Sequence, residues 1–430
     1  MNKFSMPLLE KLIADNTKQN DTVVLHINHC MNNSFYFTEQ LKKVFHEVVF
    51  VAVPYNDKNI QSDAKFTTYH AVHEGKNYIL KRNNVIVETK ECDFLSATKS
   101  LISLAFENEL LEYVKSGKKL LIIEDGGYHY DMINALIKKH PIFKKAIIGA
   151  VEQTTAGTRS SYLQNDLCYP VASVARSYYK VRVEAYFVAN RVVDELKRMM
   201  HEINEFIDFH SILLIGYGII GRSIALCLKQ QNIKIYVYDT DEAMQNAAIK
   251  DGFYSWDGTF EENMIVIGNV GQPSFTKEML NSYLSGSSNR IFLASSSSKQ
   301  VEFEAVFNKL DKCKKETVQS SECFHFTNGK SVVLLAQGYP LNFYDENADS
   351  LTYDMIDPVF SEIFLLAIYL VQNYQTMNNK TYLLGSDENL NNNINENQLL
   401  LEWMQKNGLY FNMNTFNVHP EENKLMEITF

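Results

Sequence analysis

Paired cysteines are the first thing this sequence lacks. Six cysteines (Cys30, Cys92, Cys168, Cys227, Cys313, Cys323) lie scattered along 430 residues, with no CxxC pair and no Cys/His ligand spacing. That excludes a disulfide framework and a zinc site as starting points and fits reduced thiols in a cytoplasmic protein; no metal is expected. Proline (8) and glycine (18) are too few for a collagenous or largely disordered chain. The longest apolar run, Ile363–Val371, has nine residues, far from the roughly 20 needed to cross a bilayer. The N-terminal MNKFSMPLLEKL has no long apolar core and no small-residue cleavage site, so no signal peptide is expected. Basic charge is also lacking: the net charge of −10 disfavours nucleic-acid binding, which depends on clustered Lys and Arg. What is present, 46% hydrophobic and 21% charged residues, is ordinary for a globular protein. Single cores rarely grow beyond roughly 250–300 residues, so the length predicts two or three domains.

Short apolar runs at Thr22–Ile27, Glu47–Val53, Leu120–Ile123 and Ala146–Val151 read as buried parallel strands. Helical patterns at Ser34–Phe45 and Ser96–Lys115 lie between them, and such alternation predicts βαβ units. Asn77–Thr89 reads as a hairpin turning at Lys-Arg-Asn-Asn. Val181–Ile207, without Gly or Pro, predicts a long amphipathic helix joining two domains. A second series, Ser211–Ile215, Lys234–Tyr238, Met264–Ile267, Arg290–Ala294 and Ser331–Leu335, predicts a second α/β unit. Asp357-Pro358 is expected to open a helix running to about Asn373, with Asp as its N-cap and Pro in its first turn. The Asn-rich stretch Asn378–Asn397 reads as a solvated loop, and Leu399–Phe430 as a tail too short for a domain.

The strongest motif is ILLIGYGIIGRSIALCLKQQNIKIYVYDTD. Gly216, Gly218 and Gly221 form GxGxxG directly after an apolar strand. Gly216 permits the tight turn, Gly218 the close approach of a pyrophosphate, and Gly221 close helix–strand packing. The helix opening at Ile219 and Ile220 offers N–H groups and a positive dipole end to phosphates. Asp239 follows the first Gly by 239 − 216 = 23 residues, near the spacing at which an acid accepts the ribose hydroxyls and repels a 2′-phosphate. NAD is therefore expected rather than NADP; Arg222 sits too early to read that phosphate. Asn269 and Val270, after the Met264–Ile267 strand, are also assigned to the cofactor.

Several segments, in order, resemble the S-adenosylhomocysteine hydrolase family. LHINH (Leu25–His29) resembles its Leu-His-Met-Thr, EDGG (Glu124–Gly127) its Asp-Asp-Gly-Gly, and VEQTTAG (Val151–Gly157) its Glu-Glu-Thr-Thr-Thr-Gly. GYGIIGR resembles Gly-Tyr-Gly-Asp-Val-Gly-Lys, YDTD (Tyr238–Asp241) its Thr-Glu-Ile-Asp, and LLAQGYPLNF (Leu334–Phe343) its Leu-Leu-Ala-Glu-Gly-Arg-Leu-Val-Asn-Leu. The likeness spans roughly residues 20–345 and implies an α/β fold of two doubly wound units, a Rossmann NAD-binding domain inserted into a split flavodoxin-like substrate domain. The expected boundaries are 1–190 and 345–392 for the substrate domain, 191–344 for the NAD domain and 393–430 for a divergent tail. The resemblance implies an active site between the domains. There NAD oxidises a ribose 3′-hydroxyl, elimination and water addition follow, and the cofactor is regenerated. It also implies a homo-oligomer, a dimer or tetramer.

Matched residue by residue, Lys180 falls at the family's catalytic lysine, Asp125 at the second acid of Asp-Asp-Gly-Gly and His26 at its histidine, and the resemblance implies that all three are catalytic. Thr154 and Thr155 match hydroxyls expected at NAD, and Asn342 an Asn expected near the nicotinamide carboxamide. The departures fall where substrate would sit: Asn28 and Cys30 replace a Thr and a Glu, Gln153 replaces a ribose-binding acid, and Glu184-Ala185 replaces Asp-Asn. Asn28, Gln153 and Glu184 are therefore the expected substrate contacts. Ser295–Ser298 stands where the family has Asn-Ile-Gly-His, so its histidine becomes Ser298, and the terminus HPEENKLMEITF lacks the family's basic arm. Losing a charge-assisted hydrogen bond to a sugar costs about 1.5–3 kcal/mol, and several such losses weigh against hydrolysis of S-adenosylhomocysteine itself. The expectation is an NAD-dependent enzyme oxidising a hydroxyl of a nucleoside-like or other small polar substrate, the alternatives being an NAD-binding pseudoenzyme or regulatory protein and a true adenosylhomocysteinase. His26 and His29 lack a third metal ligand, and no Ser/His/Asp order supports a nucleophile in Ser295–Ser298. A hydroxyacid dehydrogenase gives no reason for EDGG or VEQTTAG.

Overall fold

The structure is a computed structural model that describes residues 5–54, 65–74, 77–164, 166–297, 300–344 and 349–408. Ser298, the assigned counterpart of the family's histidine, and the terminus HPEENKLMEITF lie outside those residues. The chain divides into two compact units, 1–184 with 351–430, and 185–350.

The first unit begins with strands β1 (Gln19–His29), β2 (Phe45–Val53), β3 (Thr67–Glu74), β4 (Asn77–Arg82), β5 (Val85–Glu91), β6 (Lys119–Glu124), β7 (Ile147–Glu152) and β8 (Val171–Ser173). The second carries β9 (Ile212–Ile215), β10 (Ile235–Tyr238), β11 (Tyr254–Ser255), β12 (Met264–Gly268), β13 (Arg290–Ser295), β14 (Lys314–Val318), β15 (Ser321–His325) and β16 (Ser331–Leu334). The chain then returns to the first sheet with β17 (Thr381–Leu383).

The first sheet runs β17-β8-β7-β6-β1-β2-β3-β4-β5. Its parallel centre β2-β1-β6-β7-β8 is the flavodoxin-like order, whose switch point lies between β1 and β6. The β4–β5 hairpin extends the β3 edge antiparallel, as the sequence predicts, and β17 adds to the other edge, parallel to β8. The second sheet runs β11-β10-β9-β12-β13-β16-β15-β14. Its first six strands have the Rossmann order, with the switch point between β9 and β12. In both sheets the central strands are buried on both faces, which is why they read as unbroken apolar runs such as Val48–Val53 and Met264–Ile267.

Four expectations are corrected. The helix near Asp357 spans Tyr353–Asn373, with Thr352 at its N-cap and Pro358 inside it. Proline has no N–H to give the Asp354 carbonyl one turn back; the Trp403 indole N–H donates to that carbonyl instead. Asp357 caps a different helix, accepting from the Leu8 and Leu9 amides at 2.9 Å at the start of Pro7–Asp15. The Asn-rich stretch is not a loop. It holds β17 and the helix Glu388–Asn393, capped by Asp387. Beyond it, Glu396–Asn407 is a helix of the first unit that buries Leu399, Leu400 and Trp403. The helical pattern expected at Val181–Ile207 appears as a π-turn, Lys180–Glu184, leading into Ala185–Glu202.

Candidate functional site

In the first unit the ends of four parallel strands stand in one row. Ile27 pairs with Glu124, Glu124 with Glu152, and Glu152 with Ser173. Asn28, Asp125 and Gln153 lie one residue beyond that row, at the carboxyl ends where doubly wound sheets place ligands. Asn28 Nδ2 donates to Gln153 Oε1 at 3.4 Å and to His26 Nε2 at 3.3 Å. The Thr38 hydroxyl donates to the Ser34 carbonyl at 2.7 Å, so it accepts from His26 Nδ1–H at 2.8 Å. This fixes the tautomer of a ring that is fully buried and packed against Phe37 and Phe50. Burial pushes His26 down to about 3 against the opposing influence of Asp125, so the imidazole is neutral. His26 Nε2 is thus the acceptor for Asn28 Nδ2, with Thr38 holding the other side of the ring.

Asp125 Oδ1 lies 3.3 Å from His29 Nε2, with both side chains buried. Sequence reasoning passed over His29 except as a metal ligand. Strand alternation sends His26 and His29 to opposite faces of β1, which removes that possibility and delivers His29 to Asp125.

Glu152 explains the two glycine-bearing segments. It is completely buried and accepts from the amides of Gly126 (3.3 Å) and Thr154 (2.8 Å) and from the Thr154 hydroxyl (2.9 Å). A Cβ on Gly157 would come within 2.1 Å of its carboxyl carbon, and one on Gly127 within 2.5 Å of Gly157 Cα. EDGG and VEQTTAG are thus folded onto each other around one carboxyl, which burial first and the charge of Glu124 next push well above the carboxylate range. Thr154 is also the N-cap of Thr155–Tyr162, accepting from Gly157 N–H at 3.0 Å; its hydroxyl is committed on both sides, and Thr155 opens the helix.

Lys180 opens the π-turn. Its Nζ lies 2.7 Å from Glu184 Oε2 and both side chains are largely buried. Glu184, with one methylene more than an Asp, reaches back along its own turn to the lysine.

In the second unit Ile215, Gly268 and Ser295 form the corresponding row. Gly216 has φ +96°, a left-handed conformation that favours glycine. A Cβ on Gly221 would stand 2.2 Å from the Gly216 carbonyl oxygen, whereas one on Gly218 would meet no protein atom within 4 Å. Gly221 is required by packing, and Gly218 leaves open space at the N-cap of Ile219–Lys229. The first bond of that helix runs from Arg222 N–H to Gly218 C=O at 2.9 Å, so the amides of Ile219, Ile220 and Gly221 precede its ladder and suit an anion. Asp239 comes to the turn, its Oδ2 accepting from Tyr217 N–H at 2.6 Å and its Oδ1 from Asp241 N–H at 2.9 Å. Each oxygen keeps a lone pair for a ribose hydroxyl. Arg222 is bound to Asp251 at 2.7 and 3.3 Å, away from the role of reading a 2′-phosphate.

Asn269 packs on Gly221 and accepts from Ser296 Oγ at 2.9 Å. The Val270 side chain lies against Gly216, and its amide donates to buried Glu302 at 2.7 Å. Glu302 also takes the Gly271 amide at 2.6 Å and the Ser274 hydroxyl, so it shapes this loop from within; nothing in the sequence set it apart from a surface Glu. Asn342 Nδ2 donates to Ser350 Oγ at 2.9 Å, while its buried Oδ1 has no hydrogen-bond partner among the described residues. Open space at Gly218, unladdered amides, an acid at the turn and an orphaned amide oxygen fit NAD, whose carboxamide N–H could satisfy Asn342.

No family model matches the chain. An adenosylhomocysteinase of Thermoplasma acidophilum is 24% identical over 334 residues, covering 72% of this chain and 78% of that one. The chain is a divergent relative of the adenosylhomocysteinases. An S-inosyl-L-homocysteine hydrolase of Methanothermobacter thermautotrophicus is 26% identical over 261 residues, 59% of this chain and 60% of that one. Among solved structures, the pyruvate reductase of Chlamydomonas reinhardtii aligns at a TM-score of 0.39 and 12% identity, covering 82% of this chain and 98% of that one. The adenosylhomocysteinase-like chain binds NAD, both its units are α/β, and among its described residues no helix is long and apolar enough to cross a membrane.

Proposed function

We propose that this adenosylhomocysteinase-like chain is an NAD-dependent enzyme that oxidises a hydroxyl of a nucleoside-like or other small polar substrate, and that S-adenosylhomocysteine is not that substrate. The observation that carries the reading is the Asn28–Gln153 amide pair at the ends of β1 and β7, where the family resemblance calls for a ribose-binding acid. Two neutral amides bonded to each other can recognise a polar group but cannot supply the charge-assisted bond to a sugar diol.

NAD, when bound, supplies a hydride acceptor. The chain's own part is to move protons and hold the substrate. Lys180 takes the proton of the hydroxyl being oxidised, with Glu184 fixing Nζ in place; Asp125, beside His29, serves the second proton transfer. Asn28 and Gln153 orient the substrate, His26 holds Asn28, and Thr154 and Thr155 complete the loop beside them. Assembly into a homo-oligomer is part of the same reading.

The test is incubation of purified protein with a panel that includes S-adenosylhomocysteine, S-inosylhomocysteine and simple nucleosides, read by NADH absorbance and hydrogen-isotope exchange. Signal is expected with a member other than S-adenosylhomocysteine, and it should vanish in Lys180→Ala. Turnover unchanged in Lys180→Ala would remove Lys180 from the mechanism. A second reading, an NAD-binding pseudoenzyme, is favoured by the Lys180–Glu184 contact at 2.7 Å, which engages the lysine with a partner of its own turn. Bound NAD without turnover across the panel would select it.

A further inference from the structure

Two backbone groups set the polarity of the amides at the ends of β1 and β7. The His29 N–H lies 2.7 Å from the Asn28 side chain. A backbone amide only donates, so the atom it meets is Oδ1, and Asn28 Nδ2 faces the other way, toward His26 and Gln153. From the opposite end, the Ser34 carbonyl only accepts. It takes the Thr38 hydroxyl proton, Thr38 takes the His26 Nδ1–H, and His26 Nε2 is left as an acceptor for Asn28 Nδ2. The second Nδ2 hydrogen goes to Gln153 at 3.4 Å, where only an oxygen can receive it. Both runs of bonds agree on one direction. Asn28 is thereby fully engaged: its two donors serve His26 and Gln153, and its oxygen takes the His29 N–H and stands 3.3 Å from the Ser34 hydroxyl. Gln153 is not. Its Oε1 turns to Asn28, so its Nε2 turns away. That group donates to no described residue and is not sealed from solvent, on a side chain 8% exposed.

We propose that Gln153 Nε2 is the specificity-determining group of this site. It presents N–H donors to the substrate and selects one that brings a neutral acceptor oxygen, of a carbonyl or an ether, rather than a pair of hydroxyls. A diol brings hydrogens that need acceptors, and an NH2 group offers none. Asn28 acts through Gln153 by keeping its amide from turning over. Turned over, Gln153 would set its NH2 against the Asn28 NH2 and leave a buried hydrogen without an acceptor, which costs more than the bond itself. A carboxylate or phosphate is a strong acceptor, but Asp125 stands between Asn28 and Gln153, one residue beyond β6 in the sheet order β1-β6-β7, and its carboxyl opposes an anion. The inference rests on the reading above in one respect: that the substrate sits at this end of the sheet.

The experiment reads binding on the full chain and needs no turnover. NMR follows the nitrogen-labelled side-chain amides of Asn28 and Gln153. Two five-membered rings serve as probes: γ-butyrolactone, which only accepts, and cis-tetrahydrofuran-3,4-diol, which carries a ribose-like hydroxyl pair. The Asn28 side-chain hydrogens are expected to exchange slowly with solvent and those of Gln153 fast. The lactone should shift the Gln153 signals saturably and bind about fivefold more tightly than the diol. Gln153→Glu keeps an oxygen for Asn28 and puts an acceptor in the open position, so the order of the two probes should reverse. Asn28→Asp offers Gln153 only acceptors, so the Gln153 amide should turn over, its hydrogens exchange slowly, and the order again reverse; this variant decides if Gln153→Glu fails to fold. Slow exchange at Gln153 in the wild type, a diol bound as tightly as the lactone, no shift at Gln153 with either ring, or an order unchanged in the variants would overturn the proposal. Failure of the oxidoreductase reading shows elsewhere, as absence of NADH signal across the panel above with these binding results intact.

Discussion

A Cβ at position 221 would sit 2.2 Å from a backbone oxygen, and one at position 218 in open space. Two glycines of one motif therefore serve different ends. Gly221→Ala is expected to destabilise the second unit by about 1–3 kcal/mol through overpacking and to lose the nucleotide. Gly218→Ala should leave the unfolding midpoint unchanged and lower nucleotide retention alone. Unfolding curves beside a cofactor assay of each variant check this; equal melting shifts would contradict it. Residues like these were legible in the sequence because glycine spacing and an acid 23 positions on form a pattern. Glu152 and Glu302 were not. A buried Glu is the same letter as a solvated one, and only the fold shows which carboxyls are enclosed.

At the scale of elements, Asp357 couples the helix Pro7–Asp15 to the helix in which it lies. Burial pushes its carboxyl up to about 6. A carboxyl raised in the folded state favours folding when protonated, so its contribution is full at low pH and is lost as pH rises through that value. Asp357→Asn lacks this titration but keeps one acceptor for Leu8 or Leu9. The unfolding free energy of the variant relative to wild type should therefore rise between about pH 4 and pH 7, by up to about 3 kcal/mol. A flat difference in denaturant titrations across that range would contradict it.

Pro358 within its helix makes a second prediction at this scale. Trp403→Phe strands the Asp354 carbonyl and should cost about 1–3 kcal/mol. The cost should shrink in a Pro358→Ala background, where the restored amide reaches that carbonyl; a double-mutant cycle measures the coupling. Elements with apolar runs, β1, β2, β6, β9 and β12, were legible in the sequence. The hairpin β14–β15 was not, because β14 (Lys314–Val318) is exposed throughout and offers no hydrophobic contrast. The Asn-rich stretch misled for a related reason: its few buried apolar anchors, Tyr382, Leu384, Leu390 and Ile394, are too sparse to make a period.

For the whole molecule, two doubly wound units were foreseeable from alternating strands and helices; Asn28 and Asp125 in the first unit and the Gly216–Gly221 turn in the second stand at the switch points. The claim on which the rest depends is that the second unit holds NAD tightly. The direct measurement is to purify the full chain without added nucleotide, denature it, and identify and quantify what is released. Near-stoichiometric NAD or NADH is expected, retained on washing and lost in Asp239→Ala. Release of NADP, or of no nucleotide from folded protein that also fails to take up NAD, would contradict the account.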